Sequence, residues 1–395
     1  MNGGLTLLLV GAVFSTVLTT TSFQNAVHDS QQDSIVRKSV QQEVQFKNGR
    51  DLLAGTLHRP ASKTNATAVV LLAGSDRSRR GGLRNSIAKY FADHGIAALT
   101  YDSPGTGGST GNALLQTNAD RVAEALSAVT FLKLQKGIQP QAVGIFGGSE
   151  GANIALLAGA ESNDVDFVIP VSGSLGVSIL DVLRYSAEKK GYAAGLSQQH
   201  ILQAITFKEL AMALLSGVEL VEWTLLEDRV KSWKDANWSK FIAAVRLRQT
   251  QLTPEQKESL LATLRKIVPT FATQPWFKVV DVGNSVQRLL ALDAATFFGL
   301  LESGRFSQDW VRDFTFTADD LRCPVLAIWG AEDSFLPPNQ SAARLKKYFA
   351  DSKHPDSDVI VYANASHYLT KPNSPKEFVP NYLETMANWI HHRFP

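Results

Sequence analysis

The chain has 395 residues, of which 44% are hydrophobic and 19% are charged, and its formal net charge is +2. This composition is typical of a globular protein and lacks the clustered basic residues of a nucleic-acid-binding face, so we expect no nucleic-acid partner. The single cysteine, Cys323, excludes an internal disulfide framework and any metal site built from several cysteines. The sequence also has no H-x-x-x-H pattern and no G-x-G-x-x-G that opens a helix, so we expect no metal and no cofactor.

The first 26 residues form a separate segment. The run from Leu5 to Leu18 carries no charge, and it is shorter than the roughly 20 apolar residues that a membrane span needs. It matches the apolar part of a secretory signal peptide, although no Lys or Arg precedes it. We predict a signal peptide over residues 1–26, a polar linker over residues 27–40, and a secreted or periplasmic protein without stable membrane insertion after cleavage. An uncleaved membrane anchor is the alternative.

A β-hairpin and then an alternation of strands and helices follow the linker. Lys47-Asn-Gly-Arg50 predicts a tight turn, because Asn and Gly both tolerate positive φ. Ala68–Ala73 is a continuous apolar run, which is typical of a strand buried on both faces of a parallel sheet. The other strands are predicted at 42–46, 52–59, 96–101, 142–146 and 167–171, and the helices at 83–94, 117–136 and 150–159.

The alternation stops near Ser172, and helical patterns without clear strands occupy residues 174–320. Within them, Thr253-Pro-Glu-Gln256 is typical of a helix start, with a capping Thr, a first-turn Pro and Gln at the third helical position. The sheet resumes at Val325–Trp329, followed by a helix at 340–350, a strand at 359–362 and a helix at 378–392. We therefore predict an α/β fold with a mostly parallel sheet flanked by helices. Its core comprises residues 41–173 and 321–395, and residues 174–320 form an inserted helical lid.

Gly147-Gly148-Ser149-Glu150-Gly151 lies between a predicted strand and a predicted helix. A G-x-S-x-G pattern in that position indicates a nucleophile elbow, a turn so tight that side chains at the flanking positions would collide. The serine is then held in a strained conformation at the carboxyl edge of the sheet. The amide dipoles of the following helix favour an oxyanion there. We interpret Ser149 as a catalytic nucleophile rather than as part of a structural turn.

A serine nucleophile needs a base, and the base needs an acid that orients it. In enzymes with this elbow, the acid and then the histidine follow the serine along the chain. Asp333 comes directly after the strand at 325–329, with Glu332 as its competitor, and His367 lies in a short loop after the strand at 359–362. Of the other histidines, His354, His391 and His392 lie in polar or terminal settings, and His94 ends a predicted helix. We predict a catalytic triad of Ser149, Asp333 and His367.

The tetrahedral intermediate of acyl transfer needs two backbone N–H donors. The residue after the nucleophile, Glu150, supplies one of them. The loop after the strand at 68–73 has the sequence Ala73-Gly74-Ser75-Asp76, whose small residues let the backbone approach a substrate. We assign the second donor to Ser75, with Gly74 as the alternative and as a predicted substrate contact.

Several of these segments resemble bacterial α/β-hydrolases grouped with secreted esterases and serine aminopeptidase-like hydrolases. The resemblance implies an α/β-hydrolase fold and activity mostly on small acyl esters, with some thioesterases and peptidases among the relatives. It also implies a structural role for Asp102 and Gly105. The chain has Gly148 where members often have His, which opens the pocket floor, and Ser103-Pro104 where they have Arg. The matching segments lie at 71–80, 94–111, 143–160, 275–277 and 323–338, together with the loop of His367.

The predicted lid is rich in aromatic residues, with five of the seven tryptophans of the chain. Such a segment, placed over the carboxyl ends of the strands, presents an apolar wall to an acyl or aryl group. Trp276 and Phe277 are its most family-like aromatics, and we predict that they contact substrate. The alternative is that these side chains pack the lid against itself.

These observations predict an enzyme that hydrolyses small acyl esters through an acyl-enzyme intermediate. A thioesterase or peptidase with the same triad is the alternative within enzymes. Outside them, the alternative is a non-catalytic α/β-hydrolase that binds a ligand.

Overall fold

The computed structural model describes residues 39–61, 66–76, 78–113, 116–136, 138, 140–217, 222–302 and 321–395. The predicted signal peptide and residues 27–38 of the predicted linker lie outside this part of the chain. Within the described part, no helix is both long and apolar enough to cross a membrane.

A single eight-stranded sheet forms the centre of the protein. Its strands are β1 (Ser39–Asn48), β2 (Asp51–Pro60), β3 (Ala68–Leu72), β4 (Ala97–Tyr101), β5 (Val143–Gly148), β6 (Phe167–Val171), β7 (Val325–Gly330) and β8 (Ser357–Tyr362). Their order in the sheet is β1-β2-β4-β3-β5-β6-β7-β8. The contacts of β1 with β2 and of β2 with β4 are antiparallel, and all the others are parallel. The carboxyl ends of β3, β5, β7 and β8 therefore lie along one edge of the sheet.

Helices cover both faces of this sheet. They are α1 (Gly82–Asp93), α2 (Asn118–Lys133), α3 (Glu150–Glu161), α11 (Pro338–Ser352) and α12 (Tyr382–Arg393). Strand β3 shows why both faces need cover: Val70 and Leu72 pack on the side of α2, α3 and α11, whereas Val69 and Leu71 pack on the side of α1 and α12. Successive side chains of a strand point to opposite faces, so an all-apolar strand requires an apolar layer on each side. The predicted α/β fold with a mostly parallel, helix-flanked sheet is confirmed.

The amino-terminal hairpin forms as the sequence predicts. Asn48 pairs with Asp51, and Gly49 between them has φ 57°. Strand β1 begins at Ser39, three residues before the strand predicted at 42–46.

Helices fill the described part of the segment between β6 and β7. They are α4 (Ile179–Ala193), α5 (Gln198–Ser216), α6 (Trp223–Lys231), α7 (Ala236–Arg248), α8 (Pro254–Ala272), α9 (Asp281–Leu290) and α10 (Ala294–Glu302), with a 3₁₀ turn at Pro275–Val279. Helix α8 starts where Thr253 and Gln256 form the predicted reciprocal cap. We call residues 174–302 the helical insertion. It buries a hydrophobic cluster of its own, separate from the two clusters on the sheet.

The carboxyl-terminal helix differs from its prediction, because it begins at Tyr382 and not at 378. The residues before it form a second, two-stranded sheet of β9 (Thr370–Lys371) and β10 (Ser374–Phe378). The sequence of β10, Ser-Pro-Lys-Glu-Phe, lacks the alternation of apolar and polar residues that marks a strand, so the pattern gave no signal there.

Candidate active site

Ser149 stands at a sharp turn between β5 and α3. The strand ends at Gly148 and the helix begins at Glu150, so Ser149 alone connects them. Its backbone lies at φ 56° and ψ −124°, a sparsely populated conformation for a residue with a side chain, which costs on the order of 1–3 kcal/mol. This strand, turn and helix form the context that a nucleophile elbow requires.

The two outer glycines of the motif are required by close backbone contacts. A Cβ added to Gly147 would overlap the carbonyl oxygen of Gly151, and one added to Gly151 would lie 2.7 Å from the carbonyl oxygen of Ala73. Gly148 differs, because a Cβ there would meet no atom within 4 Å. Since Gly148 also lines the cavity beside Ser149, the lack of a side chain leaves that part of the cavity open.

Asp333 and His367 are hydrogen-bonded to each other. Asp333 follows β7 and His367 lies in the loop after β8, and these two strands pair in parallel. His367 Nδ1 lies 2.7 Å from Asp333 Oδ2, and both side chains are buried. Asp333 Oδ1 accepts the backbone N–H groups of Phe335 and Leu336 at 2.7 and 3.0 Å. The carboxylate is thus held with one oxygen on the backbone and the other on the imidazole.

The competing acid, Glu332, has a different environment. Its carboxylate is half exposed and pairs with Lys189 Nζ at 3.0 Å. The structure brings Asp333, and not Glu332, to His367.

Backbone hydrogen bonds join the loops that carry Asp333 and His367. The N–H of Ala331 donates to the carbonyl of Tyr362 at 2.8 Å, and the N–H of Glu332 donates to that of Ala365 at 2.9 Å. A Cβ on Gly330, the last residue of β7, would overlap the carbonyl oxygen of Ala365. The close approach of the two loops therefore depends on a glycine at this position.

Ser149 and His367 line one cavity of about 520 Å³. No hydrogen bond joins the Ser149 hydroxyl to another described residue, and such contacts are often long in enzymes without substrate. Six of the lining side chains are apolar, and four are charged. The apolar ones are Leu72, Leu83, Ile87, Phe146, Val171 and Phe378, and the charged ones are Asp76, Arg79, Arg80 and Arg84. In the described chain, no group of three or more His, Cys, Asp or Glu is arranged to hold a metal ion.

The loop after β3 lies against the elbow. A Cβ added to Gly74 would be 3.3 Å from the carbonyl oxygen of Gly148 and 3.5 Å from Ser149 Cβ. Gly74 and Ser75 both line the cavity, and Glu150 is the first residue of α3. The segments that carry the predicted oxyanion donors are therefore neighbours, and the donor roles of Ser75, Gly74 and Glu150 stay predictions.

A buried arginine that no motif indicated connects these two segments. Arg121, in the first turn of α2, donates from Nη2 to the carbonyl of Ala73 at 2.7 Å, and its Nη1 lies 2.8 Å from Glu150 Oε1. The Nη1 contact is an ion pair rather than a well-directed hydrogen bond. The sequence shows Arg121 beside Val122, where the buried face of α2 begins. That position does not reveal which groups the guanidinium contacts, so sequence analysis did not identify it.

The helical insertion contacts the site at the Asp333 loop. Tyr185 of α4 donates its hydroxyl to the backbone carbonyl of Asp333 at 2.7 Å. Burial and the charges of Asp333 and Glu332 raise the pKa of Tyr185 to about 12, so the hydroxyl keeps its proton and remains a donor. Lys190, also in α4, lies over the Phe335 ring, whose centre is 5.0 Å from that of His367.

Trp276 and Phe277 are not among the residues that line the cavity with Ser149. Trp276 is 1% exposed and Phe277 is 8% exposed, and both belong to the hydrophobic cluster of the insertion. The Trp276 ring packs against those of Phe207, Trp238 and Phe271, with centres 5.6–5.9 Å apart. The structure therefore does not bring the two predicted substrate contacts to the cavity. The helical insertion has its own hydrophobic core, and these two aromatic side chains are part of it.

This packing predicts that Trp276→Ala destabilises the protein without changing its preference among the predicted ester substrates. Removing a buried tryptophan costs about 3–5 kcal/mol, because packing is lost and a cavity remains. Denaturant unfolding measures that cost, and a panel of 4-nitrophenyl esters with acyl chains of two to twelve carbons measures the preference. Trp276→Phe is the matched control, since it keeps an aromatic ring and removes a buried indole N–H that has no hydrogen-bond partner in the described part of the chain. If Trp276→Ala instead shifts the preferred acyl chain length with little loss of stability, Trp276 contacts substrate as the sequence predicted.

Asp102 has the structural role that the family resemblance implied. Its buried carboxylate accepts the backbone N–H and the Nη1 of Arg80 at 2.7 and 2.8 Å, and the N–H of Gly108 at 2.9 Å. Because Arg80 lines the cavity, Asp102 fixes part of the cavity wall from behind.

Comparison with known proteins places this geometry in a family. A family model described as the alpha/beta hydrolase fold matches residues 72–371. Among curated proteins, the chain is 31% identical over 130 residues to the polyketide transferase claH of Penicillium crustosum, covering 33% of this chain and 42% of that protein. It is 36% identical over 87 residues to the polyketide transferase grgF of a Penicillium species, covering 22% and 30%. The chain thus spans less than half the length of either curated relative.

Two solved structures are similar over most of the chain. The Pyrococcus furiosus esterase Pf2001 is 12% identical, covers 90% of this chain and 92% of its own, and has a TM-score of 0.49. Est1E from Butyrivibrio proteoclasticus, solved with ferulic acid, is 14% identical, covers 89% and 97%, and has a TM-score of 0.44. The assignment rests on the family model, which matches well over half of the 395 residues. This protein belongs to the α/β-hydrolase fold family.

Proposed function

We propose that this protein is a serine esterase, with Ser149 as nucleophile, His367 as general base and Asp333 as the acid that orients the imidazole. The observation that carries the proposal is the 2.7 Å hydrogen bond between Asp333 and His367 beside a cavity that Ser149 also lines. Membership in the α/β-hydrolase fold family supports hydrolase activity in general. The triad and the ester substrate are specific to the proposal.

Acylation begins when the Ser149 hydroxyl attacks the carbonyl carbon of the ester. A bond forms between Oγ and that carbon, the hydroxyl proton moves to His367 Nε2, and the carbonyl electron pair moves onto oxygen. Asp333 Oδ2 accepts the Nδ1–H of His367, which keeps Nε2 free to take the proton and stabilises the imidazolium that forms.

The tetrahedral oxyanion is stabilised by the N–H of Glu150 and by the N–H of Ser75 or Gly74. Backbone donors that the fold holds in place need no reorganisation as the charge develops. The intermediate then collapses: the bond between carbon and the alkoxy oxygen breaks, and the leaving alcohol takes its proton from His367. The acyl group remains on Ser149.

Deacylation repeats these steps with water as nucleophile. His367 removes a proton from water, the hydroxide adds to the acyl carbon, and the bond to Oγ breaks. Ser149 recovers its proton from His367, and the carboxylic acid leaves. The cavity volume of about 520 Å³ lies within the roughly 300–1,000 Å³ of small-molecule sites, which supports a small acyl ester as substrate.

A fluorophosphonate probe tests this proposal, because it reacts with serine hydroxyls that an adjacent base activates. The purified protein is expected to hydrolyse 4-nitrophenyl esters and to lose that activity as the probe binds. Mass spectrometry of the digested protein should place the adduct on Ser149. Labelling of another residue, or ester hydrolysis that survives complete labelling, contradicts the proposal.

The curated relatives suggest a second candidate, because they are described as polyketide transferases. In acyl transfer the same acyl-enzyme would be attacked by an alcohol or amine instead of water. Product analysis with added alcohols separates the two functions: hydrolysis gives the free acid, whereas transfer gives a new ester at low acceptor concentration.

A further inference from the structure

The side chain of Arg121 is almost completely buried, at 6% exposure, and its two contacts lie on either side of the elbow. One is the carbonyl of Ala73, at the end of β3, and the other is the carboxylate of Glu150, at the start of α3. The planar fork of a guanidinium suits two acceptors at once, which the point charge of a lysine does not. Arg121 thus connects two segments that are far apart in the sequence.

The bond to Ala73 restrains the loop that carries the first donor. The carbonyl of Ala73 and the N–H of Gly74 belong to one planar trans peptide, in which the two groups point in opposite directions. A hydrogen bond that fixes this carbonyl therefore also fixes the direction of the Gly74 N–H and the start of the next peptide, which carries the Ser75 N–H. The same oxygen faces Gly151, where a Cβ would lie 2.7 Å away.

The ion pair with Glu150 restrains the second donor. Glu150 opens α3, so holding its side chain holds the helical turn that carries its N–H. Its carboxylate also balances the guanidinium charge, and a buried charge without a partner would be strongly unfavourable. Each partner therefore compensates the buried charge of the other.

We infer that Arg121 is a positioning residue that sets the distance and direction between the two oxyanion donors. This inference rests on the proposed serine esterase function and deepens it. A buried ion pair with a structural role alone would affect only stability. A positioning role predicts a specific loss of binding to the transition state, with substrate binding preserved.

Arg121→Lys tests this role, because lysine keeps the charge and loses the fork. Removing one oxyanion donor outright lowers kcat by about 10²–10³-fold, so displacing the donors is expected to lower it by about 10–100-fold. KM should stay within about twofold, since the interaction is made in the transition state. An alkyl boronic acid forms a tetrahedral adduct with an active serine and mimics that state. Its inhibition constant should rise by the same factor as kcat falls.

Arg393→Lys is the matched control, because Arg393 in α12 also uses its fork, on Asp356 at 2.6 and 2.7 Å, away from the cavity. It is expected to lower the melting temperature while kcat and the boronate constant stay unchanged. If Arg121→Lys behaves in the same way, the inference is overturned and the proposed function stands. If wild type neither hydrolyses esters nor binds the boronate, the proposed function fails and the inference with it.

Glu150→Gln is a second test, because it removes the carboxylate charge but keeps an amide oxygen that can accept a hydrogen bond from the Arg121 guanidinium. It removes the ion pair and keeps both the backbone N–H of residue 150 and the Arg121 bond to Ala73. With only one of the two restraints weakened, kcat is expected to fall by several-fold, and the boronate constant should rise in parallel. Values within twofold of wild type in a folded Glu150→Gln protein overturn the inference.

Discussion

Ser149→Ala is expected to abolish turnover of short aryl esters and to leave the fold intact. Without the hydroxyl no acyl-enzyme can form, and losing a triad nucleophile typically lowers kcat by about six orders of magnitude. The fold should tolerate the change, because alanine keeps the Cβ and the Ser149 hydroxyl has no hydrogen bond to another described residue. Hydrolysis of 4-nitrophenyl acetate measures the activity, and thermal unfolding measures the fold.

Ser172→Ala is the control that the chain offers for this substitution. Ser172 directly follows the neighbouring strand β6, is 1% exposed and has φ 50°, and its hydroxyl likewise has no hydrogen-bond partner among the described residues. It lies outside the proposed triad, so the variant should keep full activity. More than a few per cent of wild-type activity in a Ser149→Ala preparation free of wild-type enzyme contradicts the role of Ser149.

Asp333→Asn is expected to lower kcat by about 10⁴-fold with little change in structure. The reason lies in the two different partners of the carboxylate. Oδ1 accepts two backbone N–H groups, from Phe335 and Leu336, so an asparagine will place its carbonyl oxygen there. Its NH₂ group then faces His367 Nδ1, which must become an acceptor. The imidazole proton moves to Nε2, where it prevents His367 from taking the Ser149 proton. Steady-state kinetics on a short aryl ester measure the loss, and circular dichroism checks the fold.

Glu332→Gln provides the matched comparison for this prediction, because it changes the adjacent acid in the same way. Glu332 pairs with Lys189 at the surface, and the variant should keep kcat within about twofold. The proposed assignment would be reversed if Glu332→Gln lost activity and Asp333→Asn retained it.

Local patterns predicted most of the sheet and the elbow from the sequence. The apolar run at 68–73 forms β3, and the Gly147–Gly151 motif forms the turn at Ser149, because both depend on residues that are neighbours in the chain. The predicted helix cap at Thr253 is confirmed, because it also depends on residues that are close together in the chain. The prediction was wrong where the local pattern was weak. At β10 polar residues form a short strand through pairing with β9, and the terminal helix begins later than predicted.

The aromatic residues of the helical insertion mark the limit of this approach. Composition indicated a large apolar surface, but it does not tell a pocket wall from an internal core. The structure places Trp276 and Phe277 in the core of the insertion, and it places Tyr185 against the Asp333 loop. Which face of a helix meets the active site depends on how the helices pack against each other, and many arrangements satisfy the same apolar pattern.

The sequence by itself therefore determined the strand and helix order, the α/β fold and the short list of reactive residues, since backbone preferences and motif spacing are local. The sequence favoured Asp333 over the adjacent Glu332, and the tertiary structure shows that Asp333 contacts His367 while Glu332 pairs with Lys189. Only the tertiary structure decided that Arg121 holds Ala73 and Glu150. That contact joins three segments that the sheet brings together, and no pattern along the chain records which buried side chains meet across a fold.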